Sequence, residues 1–316
     1  MKKEPETKVI KEVKECSAGK PFTAETFLEY LCPSHDRWQP TREDRDASNY
    51  GLPHGTAWIF RGMSNVTWKL IPSLWRECND QVLALVELEQ KNDSVEERLR
   101  AYRCVYKRLR DEFKIRADLL GLLPAGGSEC KSTTNLVFEQ KTTLDGLAQH
   151  HGIPTHLLDW TLNPLVAAFF AAEKAENIPN FCVYAFNITR VAAQIPTDTR
   201  NPGKIPRIQV LILPFSASSY FRSQLGLFTH MPESGDYFMK HGRWPDLESA
   251  FKEWSKEPGN AQHFPILQKI ILPSSEKPKL LELLRRRGIT RAHLMPTLDN
   301  VGQEVMDESG RIISSR

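Results

Sequence analysis

The chain has 316 residues, of which 40% are hydrophobic, enough to bury a full hydrophobic core. Its 42 Lys and Arg residues nearly balance its 39 Asp and Glu residues, which argues against a strong attraction to nucleic acid or to an anionic membrane. The six cysteines are spread singly, and neither a signal peptide nor a run of about 18 apolar residues is present. We therefore expect a cytoplasmic protein with reduced thiols and no membrane partner.

The N-terminal part of the chain divides into a leader and the start of a domain. Residues 1–22 are charged and poor in large apolar side chains, which predicts a flexible leader before a single domain at 23–316. A strand is expected at 56–62, where aromatic and β-branched residues end in glycine. The region at about 81–120 is helical in pattern, with a break at the cluster Asn92-Asp93-Ser94, and we interpret it as a helical insertion.

The other predicted elements alternate irregularly along the chain. Several consecutive strands are too close in sequence for the long crossover that parallel pairing requires. The predicted fold class is therefore α+β, with a mixed, mostly antiparallel sheet and flanking helices. The remaining helices are expected at about 23–31, 140–150, 164–175, 217–223 and 276–287, and the remaining strands at 155–159, 180–187, 207–214, 225–230 and 264–272.

Polar and aromatic side chains stand directly before an apolar helix in the segment HGIPTHLLDWTLNPLVAAFF, residues 151–170. Asn163 is a favourable N-cap, and Pro164 then occupies the first helical position, where its missing N–H costs nothing. The start of this helix is therefore well specified by the sequence.

Asp159, Trp160 and Thr161 precede that helix and follow a brief apolar strand. Backbone N–H groups at such a strand-to-helix junction are exposed and accept anions, which makes the junction a candidate ligand site. The alternative is structural, with Asp159 as a local cap or turn acid and Trp160 as a core ring. The nearby histidines could bind metal, but no HExxH motif or matching cysteine set accompanies them, so we expect no metal.

Four segments of the chain resemble the signature blocks of the FRG domain family. That family is named for a phenylalanine-arginine-glycine motif, which corresponds here to Phe60, Arg61 and Gly62. The chain departs from the expected pattern at His156, where we expect the family to carry arginine. The resemblance spans about residues 55–302. The blocks are WIFRG at 58–62, GLAQHHGIPTHLLDWTLNPLVAAFFAAE at 146–173, SQLGLFTH at 223–230 and RRRGITRAHLMPTLDNVG at 285–302.

The order of these blocks also resembles that of ADP-ribosyltransferases, which implies an ADP-ribosyltransferase-like sheet. By this resemblance Arg61 would hold the phosphates or ribose of NAD, Thr161 would position the nicotinamide ribose, and Gln224, on a late strand, would stand where those enzymes place a glutamate. A neutral amide cannot supply the negative charge that stabilises an oxocarbenium-like centre. Asp159, or else Glu173, would then provide the carboxylate.

The residues implied at the ligand have structural alternatives. The fork of N–H donors on Arg61 suits phosphate, but Arg61 could instead form an ion pair, for example with Asp159. Thr161 could satisfy the backbone before the helix instead of a ribose hydroxyl. The implied catalytic set is Arg61, Asp159, Thr161 and Gln224, and the implied cofactor-binding set is Arg61, Gly62, His150, His156, Trp160 and Phe228.

Three functions follow as expectations. The first is an NAD-binding ADP-ribosyltransferase or NAD glycohydrolase, which transfers ADP-ribose to a protein or nucleic-acid acceptor or to water and acts as an intracellular toxin or phage-defence effector. The second, which Gln224 favours, is a non-catalytic nucleotide-sensing or partner-binding module. The third is a nucleic-acid-binding accessory protein that uses the helical insertion, and balanced charge argues against it.

The basic and aromatic residues of SLWR at 73–76 have helical spacing and predict a half-solvated helix.

Overall fold

The computed structural model describes residues 10–17, 19–41, 57–123, 140–175, 177–189, 208–213, 219–254 and 265–314. Within these residues seven strands form one sheet in the order β1-β7-β4-β2-β3-β6-β5. β1 and β7 pair in parallel, and the other neighbouring strands pair in antiparallel fashion, which confirms the predicted mixed, mostly antiparallel sheet. The strands are β1 Ile10–Val13, β2 Trp58–Met63, β3 Leu158–Thr161, β4 Asn180–Asn187, β5 Gln209–Leu211, β6 Gly226–His230 and β7 Leu267–Pro273.

Helices flank this sheet, so the predicted α+β class is also confirmed. The central strands β2 and β4 carry fully buried side chains, because helices pack on one face of the sheet and other segments of the chain pack on the opposite face. The described helices are α1 Ala24–Tyr30, α2 Asp80–Glu89, α3 Val95–Leu119, α4 Gln140–His150, α5 Pro164–Glu173, α6 Ser219–Gln224, α7 Ser234–His241, α8 Leu247–Trp254, α9 Lys277–Arg285, α10 Arg291–Leu294 and α11 Leu298–Ser314.

The predicted helical insertion consists of α2 and α3. The expected break falls between them, and the Ser94 side chain accepts a hydrogen bond from the backbone N–H of Glu97 as the N-cap of α3. Val86 and Tyr102 pack together in a small apolar core that is separate from the two faces of the sheet. The insertion is thus anchored by buried side chains that pack with Leu74, Trp75 and Met231 of the rest of the domain.

α5 packs against β2, β3 and β4 of the sheet and also against α9, so most of its side chains are buried, which explains why its sequence is apolar around its whole circumference. Asn163 accepts a hydrogen bond from the backbone N–H of Leu165, and Pro164 occupies the first turn, as predicted. α5 crosses β2 at Gly62, where the helix backbone approaches the strand directly. This contact positions the Phe-Arg-Gly motif.

The N-terminal residues differ from the predicted flexible leader. Ile10–Val13 form β1, which pairs in register with residues 267–270 of β7. Lys11 and Glu12 are exposed, and Val13 is buried, so a short edge strand has the composition of a charged leader. Residues 1–9 of the expected leader lie outside the described residues.

Candidate functional site

The sheet opens between β2 and β3, which are paired at Phe60 and Thr161 while β2 pairs with β4 along its whole length. Arg61 lies at this opening. Its Nη1 donates to the backbone oxygen of Asp159 at 2.8 Å and to the carboxylate Oδ2 of Asp159 at 3.3 Å. The guanidinium therefore bridges the two strands where the backbone ladder has ended. The Arg61 side chain is 13% exposed and that of Asp159 is 56% exposed.

The Asp159 carboxylate is held from two sides. Gln149, on α4, donates from Nε2 to Asp159 Oδ1 at 2.5 Å, while Arg61 contacts Oδ2. The Gln149 side-chain oxygen accepts from the hydroxyl of Thr155, whose backbone N–H donates to Ser73 Oγ at 3.1 Å. These contacts fix the direction of a carboxylate that remains open to solvent.

Arg76 brings a second guanidinium to the same place. Its Nε donates to the backbone oxygen of Ile71 at 3.1 Å. Burial lowers the pKa of Arg76, and the neighbouring charge of Arg61 lowers it further, while Asp159 opposes both effects. Arg76 therefore lies within electrostatic range of the Arg61–Asp159 ion pair but forms no ion pair of its own among the described residues, and we call the group of Arg61, Arg76 and Asp159 the arginine cleft. Its net charge is positive.

Sequence reasoning missed Arg76 because it interpreted SLWR as part of a half-solvated helix. The structure instead contains a short 3-10 turn, Ser73–Trp75, with Leu74 and Trp75 buried and Arg76 in extended conformation after it. Pro72, directly before the turn, was a signal in the sequence. Proline often starts a tight turn, and a helix that continued through Pro72 would be disfavoured.

His150 lies beside the arginine cleft at the end of α4. Its ring is 4.3 Å from the ring of Tyr220 and meets the edge of Phe221 at 5.7 Å. Burial lowers the pKa of His150 and the neighbouring His151 lowers it further, while the charge of Asp159 opposes this. His150 therefore presents a mainly uncharged ring at neutral pH.

Thr161 and Gln224 are engaged with the backbone. The Thr161 hydroxyl donates to the backbone oxygen of Gln224 at 2.6 Å and accepts from the backbone N–H of Asn163 at 3.0 Å. This is the structural arrangement that the sequence left open for Thr161.

Gln224 is the last residue of α6 and not part of a strand, which corrects its expected position. Leu225 adopts a left-handed conformation, with φ of 48°, and divides the SQLGLFTH block into a helix end and β6. The Gln224 amide donates from Nε2 to the backbone oxygen of Leu294 at 3.0 Å. Its side chain is thus directed at α10, and none of its hydrogen bonds among the described residues reaches Arg61 or Asp159.

Gly62, Trp160 and Phe228 belong to the core behind the arginine cleft. Trp160 donates from Nε1 to Thr229 Oγ1 at 2.9 Å, and both side chains are buried. Phe228 packs edge-on against Phe221 at 5.8 Å, and Gly62 faces the backbone of α5. The three residues support the cleft by packing.

His156 lies next to the arginine cleft but faces a different space. Its Nε2 is 3.9 Å from the buried carboxylate of Asp145, and its ring packs against those of Tyr106 at 4.9 Å and His230 at 4.4 Å. These residues line a cavity of about 520 Å³. The backbone oxygen of Thr155 accepts a hydrogen bond from the backbone N–H of Leu74, which lines the cavity. Thr155 therefore connects the arginine cleft, through Gln149, with the cavity.

Glu173, the second carboxylate that sequence reasoning considered, is located at the other end of α5. It forms an ion pair with Arg291 at 2.7 Å. Burial raises the pKa of Glu173, and Arg291 partly offsets that effect. Asp159 is the carboxylate that accompanies Arg61.

The described residues contain no group of three or more His, Cys, Asp and Glu side chains arranged around a metal ion. In the same part of the chain, every helix is too short or too polar to cross a membrane. The described cysteines are Cys16, Cys32, Cys78, Cys104 and Cys182, and all five are free thiols.

Part of the chain matches a known protein family. Residues 56–178 match the family model of the FRG domain, and this range contains Arg61, Arg76, Gln149 and Asp159. Searches of the curated proteins and of the solved structures found no match. The arginine cleft therefore lies within the matched range, while Gln224 lies beyond it. By this match, an FRG domain is present at residues 56–178 of the chain.

Proposed function

We propose that this FRG-domain protein binds a phosphate-bearing nucleotide, with NAD as the leading candidate, in the arginine cleft. One observation carries the proposal: Arg61 is ion-paired with Asp159, and the part-buried guanidinium of Arg76, close enough to feel the charges of both, adds a second cation to that pair. The uncompensated positive charge lies at a partly buried opening of the sheet. An anionic ligand there gains more from each charge than it would on an exposed surface.

The guanidinium groups retain donors for such a ligand. Arg61 uses Nη1 and Nε, and Arg76 uses Nε, in the hydrogen bonds of the described residues. The Nη2 of Arg61 and both Nη atoms of Arg76 have no acceptor within that part of the chain. Planar N–H pairs of this kind match two oxygens of one phosphate.

Cleavage of NAD is the chemistry that Asp159 would support. The bond between nicotinamide and ribose breaks, and nicotinamide leaves as a neutral molecule with the electron pair of that bond. A protein or nucleic-acid nucleophile, or water, forms the new bond at the ribose carbon and loses a proton. Asp159, oriented by Gln149 and more than half exposed, offers the negative charge that a developing oxocarbenium requires.

Binding without turnover is the second candidate, and the placement of Gln224 favours it. The amide is committed to the backbone of Leu294, and the position holds no carboxylate. Under this alternative the arginine cleft senses a nucleotide, and Asp159 only balances Arg61.

The cellular role proposed with NAD cleavage is that of a toxin or phage-defence effector, because loss of NAD or modification of an essential acceptor arrests growth. Induced expression of the wild-type chain would then slow growth and lower cellular NAD. Expression of Arg61→Gln at the same level would do neither.

The test is NAD titration by NMR together with an assay of nicotinamide release. Arg76→Gln should weaken NAD binding by about tenfold, since a charge-assisted hydrogen bond contributes roughly 1.5–3 kcal/mol. Arg76→Lys should retain part of the affinity, and Arg116→Gln, at an exposed position on α3, is the matched control.

The outcomes distinguish the two candidate functions. Nicotinamide release that Asp159→Asn abolishes supports the enzyme; saturable shifts without release support the binding module. Absence of both rejects NAD as the ligand.

A further inference from the structure

The cavity next to His156 is partly open to solvent, and its lining residues do not include Arg61, Arg76 or Asp159. Its volume is about 520 Å³, within the range of small-molecule sites. It lies among α3, α4, α7 and the ends of β5 and β6. We propose that this cavity binds a purine nucleoside monophosphate, independently of the ligand of the arginine cleft.

The walls of the cavity suit a planar ring. Trp75 and Trp244 stack in parallel at 4.6 Å, and Tyr102 meets the edge of Trp244 at 5.2 Å. Tyr106 and His156 form a second aromatic surface within the same space. Aromatic side chains of this kind bind nucleobases by stacking, and each stacked base contributes roughly 1–3 kcal/mol.

Polar groups at the cavity could contact the edge of a base. Asp145, His156 and His230 line the cavity, and Gln209 lies at the end of β5. A carboxylate accepts hydrogen bonds, whereas a glutamine amide both donates and accepts. A purine carries donors and acceptors on one edge and therefore matches this mixture better than a wholly apolar molecule does.

Arg103 marks the place of the phosphate. It lies on α3 at the cavity wall and, among the described residues, takes part in no ion pair. Its Nη2 lies beside Gly235 in the first turn of α7, and Ser234 and Gly235 both line the cavity. A phosphate at this position would meet a guanidinium and the positive end of a helix together.

The charges oppose a cationic ligand, although aromatic walls alone would accept one. Arg103 is the one Lys or Arg among the lining side chains, whereas Asp145 is the one acidic residue there and already has His156 Nε2 at 3.9 Å. Burial, and then the neighbouring charge of Asp145, raise the pKa of the Tyr106 phenol, so the phenol stays uncharged. An aromatic ligand with an anionic end therefore fits the cavity best.

The test uses guanosine monophosphate as the probe, titrated into the full chain and followed by intrinsic fluorescence and calorimetry. Trp75 and Trp244 belong to the wall, so binding should quench tryptophan fluorescence. Arg103→Ala should weaken binding by about tenfold, which corresponds to roughly 1.4 kcal/mol. Arg98→Ala, an exposed arginine on the same helix that does not line the cavity, should bind as the wild type does.

Variants of the arginine cleft separate the two sites. Arg76→Gln should leave guanosine monophosphate binding unchanged, whereas Tyr106→Leu, checked for folding by circular dichroism, should weaken it. The proposal is overturned if the nucleotide shows no saturable binding up to millimolar concentration. It is equally overturned if Arg103→Ala binds as the wild type does, or if Arg76→Gln weakens binding as much as Arg103→Ala.

Discussion

Gly62 and Ala167 are in direct backbone contact, so the glycine of the Phe-Arg-Gly motif is a packing residue. A Cβ atom at Gly62 would overlap the carbonyl oxygen of Ala167 and lie 2.5 Å from the backbone nitrogen of Ala171. Both obstacles are backbone atoms of α5 and cannot rotate away. The close approach of helix and strand fixes β2, and with it the position of Arg61.

Gly62→Ala is therefore expected to destabilise the fold. The helix must move away from β2, and overpacking of this kind typically costs about 1–3 kcal/mol or more. The free energy of unfolding from denaturant titration measures the effect. Gly302→Ala is the control, because Gly302 lies on α11 with no atom within 4 Å of an added Cβ. It should be neutral or gain up to about 1 kcal/mol. Equal stabilities for the two variants would contradict the packing role.

Asp159→Asn should separate binding from turnover. The substitution removes the carboxylate that is ion-paired with Arg61 and acts electrostatically on Arg76, so the positive charge available to a phosphate increases. We expect NAD or another nucleotide to bind several-fold more tightly, while nicotinamide release is lost. Calorimetry and the release assay measure the two effects, and Asp118→Asn, on the exposed end of α3, is the control. Weaker binding by Asp159→Asn would mean that Asp159 contacts the ligand directly.

Local signals in the sequence were sufficient for the elements around the candidate site. Asn163 and Pro164 predicted the start of α5, and the cluster Asn92-Asp93-Ser94 predicted the break before α3, because caps and turn residues act through the nearest backbone groups. A strand was likewise predicted at 180–187, where the structure places Asn180–Asn187 with an almost continuous run of buried side chains. For the two helix starts, the determining contacts lie within a few residues.

Contacts between distant residues were beyond such reasoning. Arg76 reaches the site because a 3-10 turn directs it toward residues that follow by more than 80 positions. β1 exists because β7 offers an open edge some 250 residues later, and its own sequence is mostly charged. The ion pair of Arg61 and Asp159 was one of two alternatives that the sequence left open, and pairing between β2 and β3 decides it.

Gln224→Glu should not create activity, although it restores the residue type expected by resemblance to ADP-ribosyltransferases. The new glutamate has no side-chain N–H to donate, and its negatively charged carboxylate would face the partly negative backbone oxygen of Leu294. We expect a lower melting temperature and unchanged nicotinamide release. Gln81→Glu, exposed in the first turn of α2, is the control and should keep the melting temperature. An increase in release by Gln224→Glu would show that the side chain can turn toward the cleft.

His150 should make the stability of the fold depend on pH. Its pKa is lower in the folded state, mainly because of burial, than the value near 6.5 of the unfolded chain. As pH falls below about 6.5, the unfolded state binds a proton that the folded state does not, so stability decreases toward acid and is greatest above that pH. Denaturant titrations at pH 7.5, 6.5 and 5.5 should show this slope. His150→Phe should reduce the slope, whereas Ser219→Ala, at the exposed start of the neighbouring α6, should retain it. An identical slope in His150→Phe and the wild type would exclude His150 as its source.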